Sequence, residues 1–276
     1  VALGDAHRAA LAHVGSTGRP TGADRRVMLH FHPDWPFRAA TVLEAIAGDR
    51  RYRSQFETAT SNGGLTARPG GDRWRWENRM FGGAYDTAAP ADRPTYGALD
   101  VHRRPIGAAP RFGSAHLRLA AAVLDRTTCC FPDSVFEPTA LAPARAAGDL
   151  IALALAGDLD PLDDYVEAQV HGPLRLPEDV EALVLDPSHR GTAVEEAAAR
   201  LGCPVQWHGG FRLEPAELAR HVDYRGPEPV ALGLAIAGGE VLDPALLGTA
   251  AREGGHDPQV LKKVWHLLAR FGSDRW

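Results

Sequence analysis

The stretch Tyr165-Val166-Glu167-Ala168-Gln169-Val170-His171-Gly172 alternates between apolar and polar side chains. A period of two is the signature of a β-strand. It puts Tyr165, Glu167, Gln169 and His171 on one face and Val166, Ala168 and Val170 on the other. Gly172-Pro173 then forces a turn. The apolar face asks for a core. The other face lines up a carboxylate, an amide and an imidazole. An edge strand with a wet face would show this pattern, and so would a strand that carries chemistry.

The chain has 276 residues, enough for one large domain or two small ones. A net charge of -5 gives no global field toward nucleic acid or a membrane, and neither is expected as a partner. No apolar run is long enough to span a bilayer. Cys129, Cys130 and Cys203 make neither a disulfide framework nor a paired metal site, which fits a reducing compartment. The opening Val1-Ala2-Leu3 lacks a methionine and a signal-like core, so the chain reads as trimmed and a targeting segment would lie outside it. No internal repeat is visible, and a monomer is expected.

In chain order, residues 1–14 read as a helix and Arg26–His32 as a strand stopped by Pro33. His30 and His32 share a face that Asp34 would continue, a cluster that could bind a metal or a ligand. Residues 37–48 read as a helix. Tyr52 to Pro94 shows no clear period, and a stretch that long without structure suggests function. Within it, Ser61-Asn62-Gly63-Gly64 offers backbone donors or an ordinary turn. Tyr96–Asp100, Phe112–Leu119 and Arg126–Phe131 read as strands. Gly97 and Gly113, at strand starts, would admit a flat ring or a close backbone. Residues 144–156 read as a helix capped by Gly157. Asp179–Asp186 and Pro204–His208 read as strands, and 193–201 as a helix. From Glu214 on the pattern is mostly helical, and 258–271 carries a sharp apolar stripe. His208 and His266 read as packing or surface residues rather than ligands. The expected fold class is α+β, with a core over 1–190 that includes 52–94 as a target-binding insertion, and a helical part over 191–276.

The ordered set His-Phe-His-Pro-Asp, Tyr-Gly-Ala-Leu, Phe-Gly-Ser-x-x-Leu-x-Leu and Glu-Ala-Gln-Val-His-Gly resembles the CteC-like family of bacterial ADP-ribosyltransferases, which modify ubiquitin on a threonine. The resemblance runs from the first strand to the last helix. It implies a split mixed β-sheet that binds NAD, as in diphtheria-type toxins and poly(ADP-ribose) polymerases. It also implies delivery to a host cell cytoplasm. A first-strand His, here His32, would hold a ribose. Ser114 or Tyr96 would pack at the nicotinamide, where Tyr96 or Phe112 could stack, beside Gly113. A late-strand Glu, here Glu167, would carry the chemistry. The late strand reads Glu-x-Gln, so Gln169 is a second occupant of that register. The family's Asp–Glu pair maps onto Asp34 and Glu167, with Asp133 as the other candidate acid.

The expected reaction moves ADP-ribose from NAD to a side-chain hydroxyl, with a threonine of ubiquitin as the leading acceptor. Its transition state resembles an oxocarbenium ion, which a carboxylate stabilises. Two rivals remain: a metal-dependent hydrolase built on His30, His32 and Asp34, and a binding module without catalysis. No dinucleotide-binding GxGxxG, no phosphate-binding Walker loop and no GxSxG elbow is present.

Overall fold

The computed structural model describes residues 2–59 and 65–273; the Ser61-Asn62-Gly63-Gly64 stretch lies outside them. Eight strands make one mixed sheet: β1 (Val27–Phe31), β2 (Thr95–Leu99), β3 (Ala115–Leu119), β4 (Thr127–Cys130), β5 (Leu141–Pro143), β6 (Val166–Val170), β7 (Val180–Leu185) and β8 (Val205–Trp207). Their spatial order is β8-β7-β3-β1-β2-β6-β4-β5. Every pairing is antiparallel except β7 with β8, which are joined through the helix Ala193–Ala199. The α+β expectation holds.

The sheet is continuous but splayed. β1 pairs with β3 from Met28↔Arg118 to Phe31↔Ala115. It pairs with β2 only at Val27↔Leu99 and Met28↔Ala98. Beyond Met28 the ladder between β1 and β2 stops, and the two halves open. β6 lies between β2 and β4, with registers Ala98↔Glu167 and Cys130↔Glu167. It is therefore an interior strand, and the wet-edge reading of its polar face fails: Glu167, Gln169 and His171 are all buried.

Leu29, Phe31, Leu117, Val166, Val170 and Leu183 of the sheet belong to one apolar core with the helices Val42–Asp49, Gly148–Ala156 and Ala193–Ala199. A second core lies among the C-terminal helices Pro227–Ala237, Pro244–Glu253 and Pro258–Phe271, where Trp265 is fully buried. Ile106 and Leu162 from the sheet part join it. The Trp265 indole donates to the Pro110 and Arg111 carbonyls at 3.0 and 3.1 Å. These contacts tie the last helix to the mouth of β3. The sheet also runs past residue 190, because β8 belongs to it.

Three local expectations shift. The helix read over 37–48 starts at Val42, after a two-residue hairpin of Pro36–Phe37 with Ala40–Thr41. Its true start is marked by a capping box in which Thr41 and Glu44 satisfy each other's backbone donors. The segment 52–94 contains a helix, Asp72–Met80, with Arg73, Trp76, Glu77 and Met80 buried. The strand expected from Phe112 begins at Ala115, since Pro110–Phe112 is a turn of 3-10 helix.

Candidate functional site

A cavity of about 480 Å³ lies where β1 and β2 part. Its lining includes His30 and His32 from the end of β1, Thr95 to Ala98 of β2, and Glu167 of β6. Arg73, Phe112, Asp133 and Tyr165 complete the polar end. The volume lies within the range usual for small-molecule sites.

Glu167 is 5% exposed. Its Oε2 accepts from the Ser134 hydroxyl at 2.8 Å and from the Ser134 amide at 3.3 Å. Its Oε1 accepts from the Gln169 amide at 3.0 Å. Burial pushes its carboxyl above the ordinary range; Arg73 pulls it back, and neighbouring Asp133 pushes it up again. A carboxylate in this state is a sensitive, poorly hydrated charge, as sites of catalysis tend to hold.

Gln169 is fully buried and lies outside the cavity wall, so it is not the residue that faces a ligand. Its Nε2 donates to Glu167, which fixes its Oε1 as the acceptor from Thr128 Oγ1 at 3.0 Å. Thr128 then accepts from His171 Nε2 at 3.0 Å. That leaves His171 Nδ1 to accept from the Tyr85 hydroxyl at 2.6 Å. Each inner member accepts from the one before and donates to the one after, so the chain runs in one direction and ends on Glu167; Gln169 Nε2 also donates to Cys130 Sγ at 3.4 Å. It requires a neutral His171, and burial lowers that imidazole's pKa to about 3. The polar face of β6 is thus a brace for its glutamate.

Asp34 is not at this site. Proline at 33 ends β1, and the Asp34 side chain turns to the helix Pro244–Glu253. There Arg252 Nη1 donates to its carboxylate at 2.8 Å and to its carbonyl at 2.9 Å. An added Cβ at Gly248 would lie 1.8 Å from Asp34 Oδ2. Asp133 is the acid that lines the cavity with Glu167. It accepts from the Tyr165 hydroxyl and from the Val135 amide.

Two further expected contacts are used up elsewhere. Gly113 has φ +152°, and a Cβ there would lie 2.1 Å from the Phe31 carbonyl carbon; its bareness admits the β1 backbone, not a ligand. Ser114 is 1% exposed and off the cavity wall, and its carbonyl accepts from His208 Nε2 at 2.7 Å. His32 and Phe112 do line the cavity. His32 stacks on Trp35 with ring centroids 4.1 Å apart, and among the described residues its ring nitrogens meet no hydrogen-bond partner. Phe112 meets Tyr165 edge to face at 5.5 Å. Tyr96 also lines the cavity, but its hydroxyl donates to Glu77 at 2.7 Å and its ring is covered by the Arg73 guanidinium at 3.9 Å.

The metal reading loses its ligands. His30 donates from Nδ1 to the Gly113 carbonyl at 3.0 Å and accepts at Nε2 from the Ala109 amide at 3.2 Å. Both nitrogens are occupied, and Asp34 is committed to Arg252. Among the described residues no group of three or more His, Cys, Asp or Glu side chains is placed to hold a metal ion. Among them, too, no helix is long and apolar enough to cross a membrane.

Arg73, Glu77 and Arg93 went unnoticed in the sequence. Arg73, Trp76, Glu77 and Met80 fall at i, i+3, i+4 and i+7, a helical stripe. Two of its members are charged, so a search for apolar period passes over it. The pair inside is closed: Arg93 donates to Glu77 at 2.5 Å.

Residues 26–158 and 143–271 match the family model described as protein of unknown function, DUF3626, and the chain belongs to that family. Comparison with curated proteins returns no match.

Proposed function

We propose that this DUF3626 chain is a mono-ADP-ribosyltransferase that moves ADP-ribose from NAD to a side-chain hydroxyl of a protein. The observation that carries the reading is the convergence of three adjacent strands on one cavity. β1 brings His32, β2 brings Tyr96 and β6 brings Glu167, in the order that the CteC-like resemblance implies. The splay between β1 and β2 is where a split-sheet NAD site would lie. A cavity with an unpartnered imidazole, an aromatic ring and a braced carboxylate suits a dinucleotide with hydroxyl, phosphate and ring groups.

In this reading Glu167 accepts a hydrogen bond from the nicotinamide-ribose 2′-hydroxyl. As the bond from C1′ to nicotinamide breaks, positive charge builds on the ribose, and the carboxylate stabilises it more than it stabilises the ground state. The acceptor oxygen then bonds to C1′, nicotinamide leaves as a neutral molecule, and the hydroxyl proton passes to a base. Asp133, on the cavity wall and oriented by Tyr165, takes that role in place of Asp34. His32 donates to a ribose or phosphate oxygen. Phe112 offers an apolar edge to the nicotinamide.

A threonine of ubiquitin is the acceptor to test first, and its modification would block ubiquitination. Intact-mass analysis after incubation with NAD and ubiquitin should show one added ADP-ribose. Glu167→Gln should lower transfer by at least about 100-fold, the scale of a lost charge-stabilising group, measured at a temperature where circular dichroism shows the variant folded. Transfer at the parental rate by that variant removes Glu167 from the mechanism. Absence of nicotinamide release with any protein acceptor favours the rival reading, a binding module.

A further inference from the structure

We propose that Arg73 is a positioning residue for this reaction: it keeps Glu167 an aimed carboxylate, directly and through the Ser134 hydroxyl. The inference rests on the transferase reading only for its consequence on rate. The geometry stands without it.

Arg73 is 2% exposed. Its Nη1 donates to Ser134 Oγ at 2.5 Å and lies 3.7 Å from Glu167 Oε1. The Ser134 oxygen accepts from the arginine and its hydroxyl donates to Glu167 Oε2, 2.8 Å away, so the serine relays the guanidinium to the carboxylate. The glutamate's other oxygen faces the Gln169 amide nitrogen. Every close polar group around Glu167 is therefore a donor: a guanidinium, a hydroxyl, a backbone amide and a side-chain amide. A protonated carboxyl would have to turn its O–H to the second lone pair of the Ser134 oxygen, which already sits against a guanidinium; the other neighbours are donors alone. These donors favour the ionised form, against the burial and the Asp133 charge that push the carboxyl up.

The local charges divide in the same way. Three buried acids crowd this end of the fold: Glu77, Asp133 and Glu167. Arg93 closes on Glu77 and also donates to the Tyr85 carbonyl at 2.8 Å. Asp133 has the Tyr165 hydroxyl. Among the described residues the remaining buried guanidinium here, Arg73, lies 3.7 Å from Glu167 Oε1. Arg73 differs from Arg93 in being incompletely satisfied. Its Nε is buried without a partner among the described residues, although the side chain borders the cavity. Its plane also lies over Tyr96 at 3.9 Å, so one face of that ring is closed to a ligand and stacking falls to Phe112. Arginine is also charged at every pH of interest, so it can hold its neighbour ionised where lysine in the same site could titrate.

The test uses two readouts. The first is the carbon-13 titration of the Glu167 carboxyl in the full chain, assigned by loss of its signal in Glu167→Gln. Arg73→Met should raise the titration midpoint by one pH unit or more. Ser134→Ala should raise it by less, because the charge stays and only the hydroxyl link is lost. Arg73→Lys should fall between parent and Arg73→Met. An unmoved midpoint in Arg73→Met and Ser134→Ala overturns the proposal. Should Arg73→Met fail to fold, Arg73→Lys and Ser134→Ala decide it by the same criterion. The second readout is NAD consumption against pH. The acidic limb should move up with the midpoint, and the variants' rates should recover toward the parental value at alkaline pH, whereas Glu167→Gln stays inactive throughout. A loss by the same factor at every pH marks Arg73 as merely structural and overturns the proposal. A parent chain that consumes no NAD refutes the transferase reading alone, since the carboxyl titration needs no substrate.

Discussion

Replacing Asp34 with asparagine separates the two acids that the sequence offers for the chemistry. Asp34 is buried, its side chain 6% exposed, against an Arg252 side chain that is 39% exposed. Burial raises its pKa from 3.8 to about 6; Arg252 opposes that shift and Asp243 adds to it. A raised carboxyl means that the folded state holds the charged form less well than the unfolded chain does. At neutral pH the ionised Asp34 therefore costs about 3 kcal/mol relative to its protonated form, from about 1.4 kcal/mol per pKa unit. Asparagine keeps the shape and an oxygen for Arg252, and it carries no charge to bury. Asp34→Asn should be neutral or stabilising at pH 7.5. The sign follows from proton counts. Between pH 6 and 3.8 the folded protein binds a proton at Asp34 that the unfolded chain does not, so the parent gains stability as pH falls through this window, and the variant has no such gain. From pH 7.5 to 5 the parent should gain about 1.4 kcal/mol on the variant. Other titrating groups are common to both proteins and cancel in the difference. Urea unfolding at the two pH values measures it. A variant that loses more than about 2 kcal/mol at pH 7.5, with a difference from the parent that stays constant with pH, would refute the reasoning, because a removed partner of a net favourable ion pair behaves that way. Transfer lost in a fully folded Asp34→Asn would return that residue to the mechanism.

Gly113→Ala places a methyl 2.1 Å from the Phe31 carbonyl carbon at a φ of +152°, so it should destabilise by at least about 3 kcal/mol, read as a fall in the urea midpoint. His171 is buried neutral with its pKa lowered to about 3. The unfolded chain takes up that proton below pH 6.5 and the folded one does not, so stability present above 6.5 is lost as pH falls toward 3. His171→Gln should flatten this slope by about 1.4 kcal/mol per pH unit, and an unchanged slope would show that His171 is already protonated in the fold.

The fold was legible where one face of an element is apolar. β6, β7 and the helix Pro258–Phe271 follow from alternation or from a helical stripe. The start of the helix at Val42 was also present in the sequence, as Thr41-Val42-Leu43-Glu44, but a hairpin of two-residue strands leaves no period to read ahead of it. The helix Asp72–Met80 was hidden for a different reason. Its buried stripe contains Arg73 and Glu77, and these become compatible with burial only through partners such as Ser134 and Arg93, far off in the chain. Strand order could not be read either. β1 sits between β3 and β2, a pairing fixed by contacts between distant segments.

The site divides along the same line. Glu167 was legible because a charged residue in the middle of a strand, followed by an amide and an imidazole, contradicts simple packing unless those groups serve one another. They do: the chain from Tyr85 through His171, Thr128 and Gln169 ends on it. The choice between Asp34 and Asp133 was not legible, because alternation along β1 assumes that the strand continues. Pro33 stops it, and the next side chain leaves the cavity face for Arg252. Asp133 likewise lies three residues past the end of its strand and after a proline, Pro132, but β4 ends at Cys130 opposite Glu167, so the chain leaves the ladder beside the glutamate. An acid placed by continuing a pattern past a proline is a guess about direction. Asp133 is fixed by contacts no local spacing shows, the Tyr165 hydroxyl from β6's own start and the Val135 amide, and the proposed base needs that kind of support.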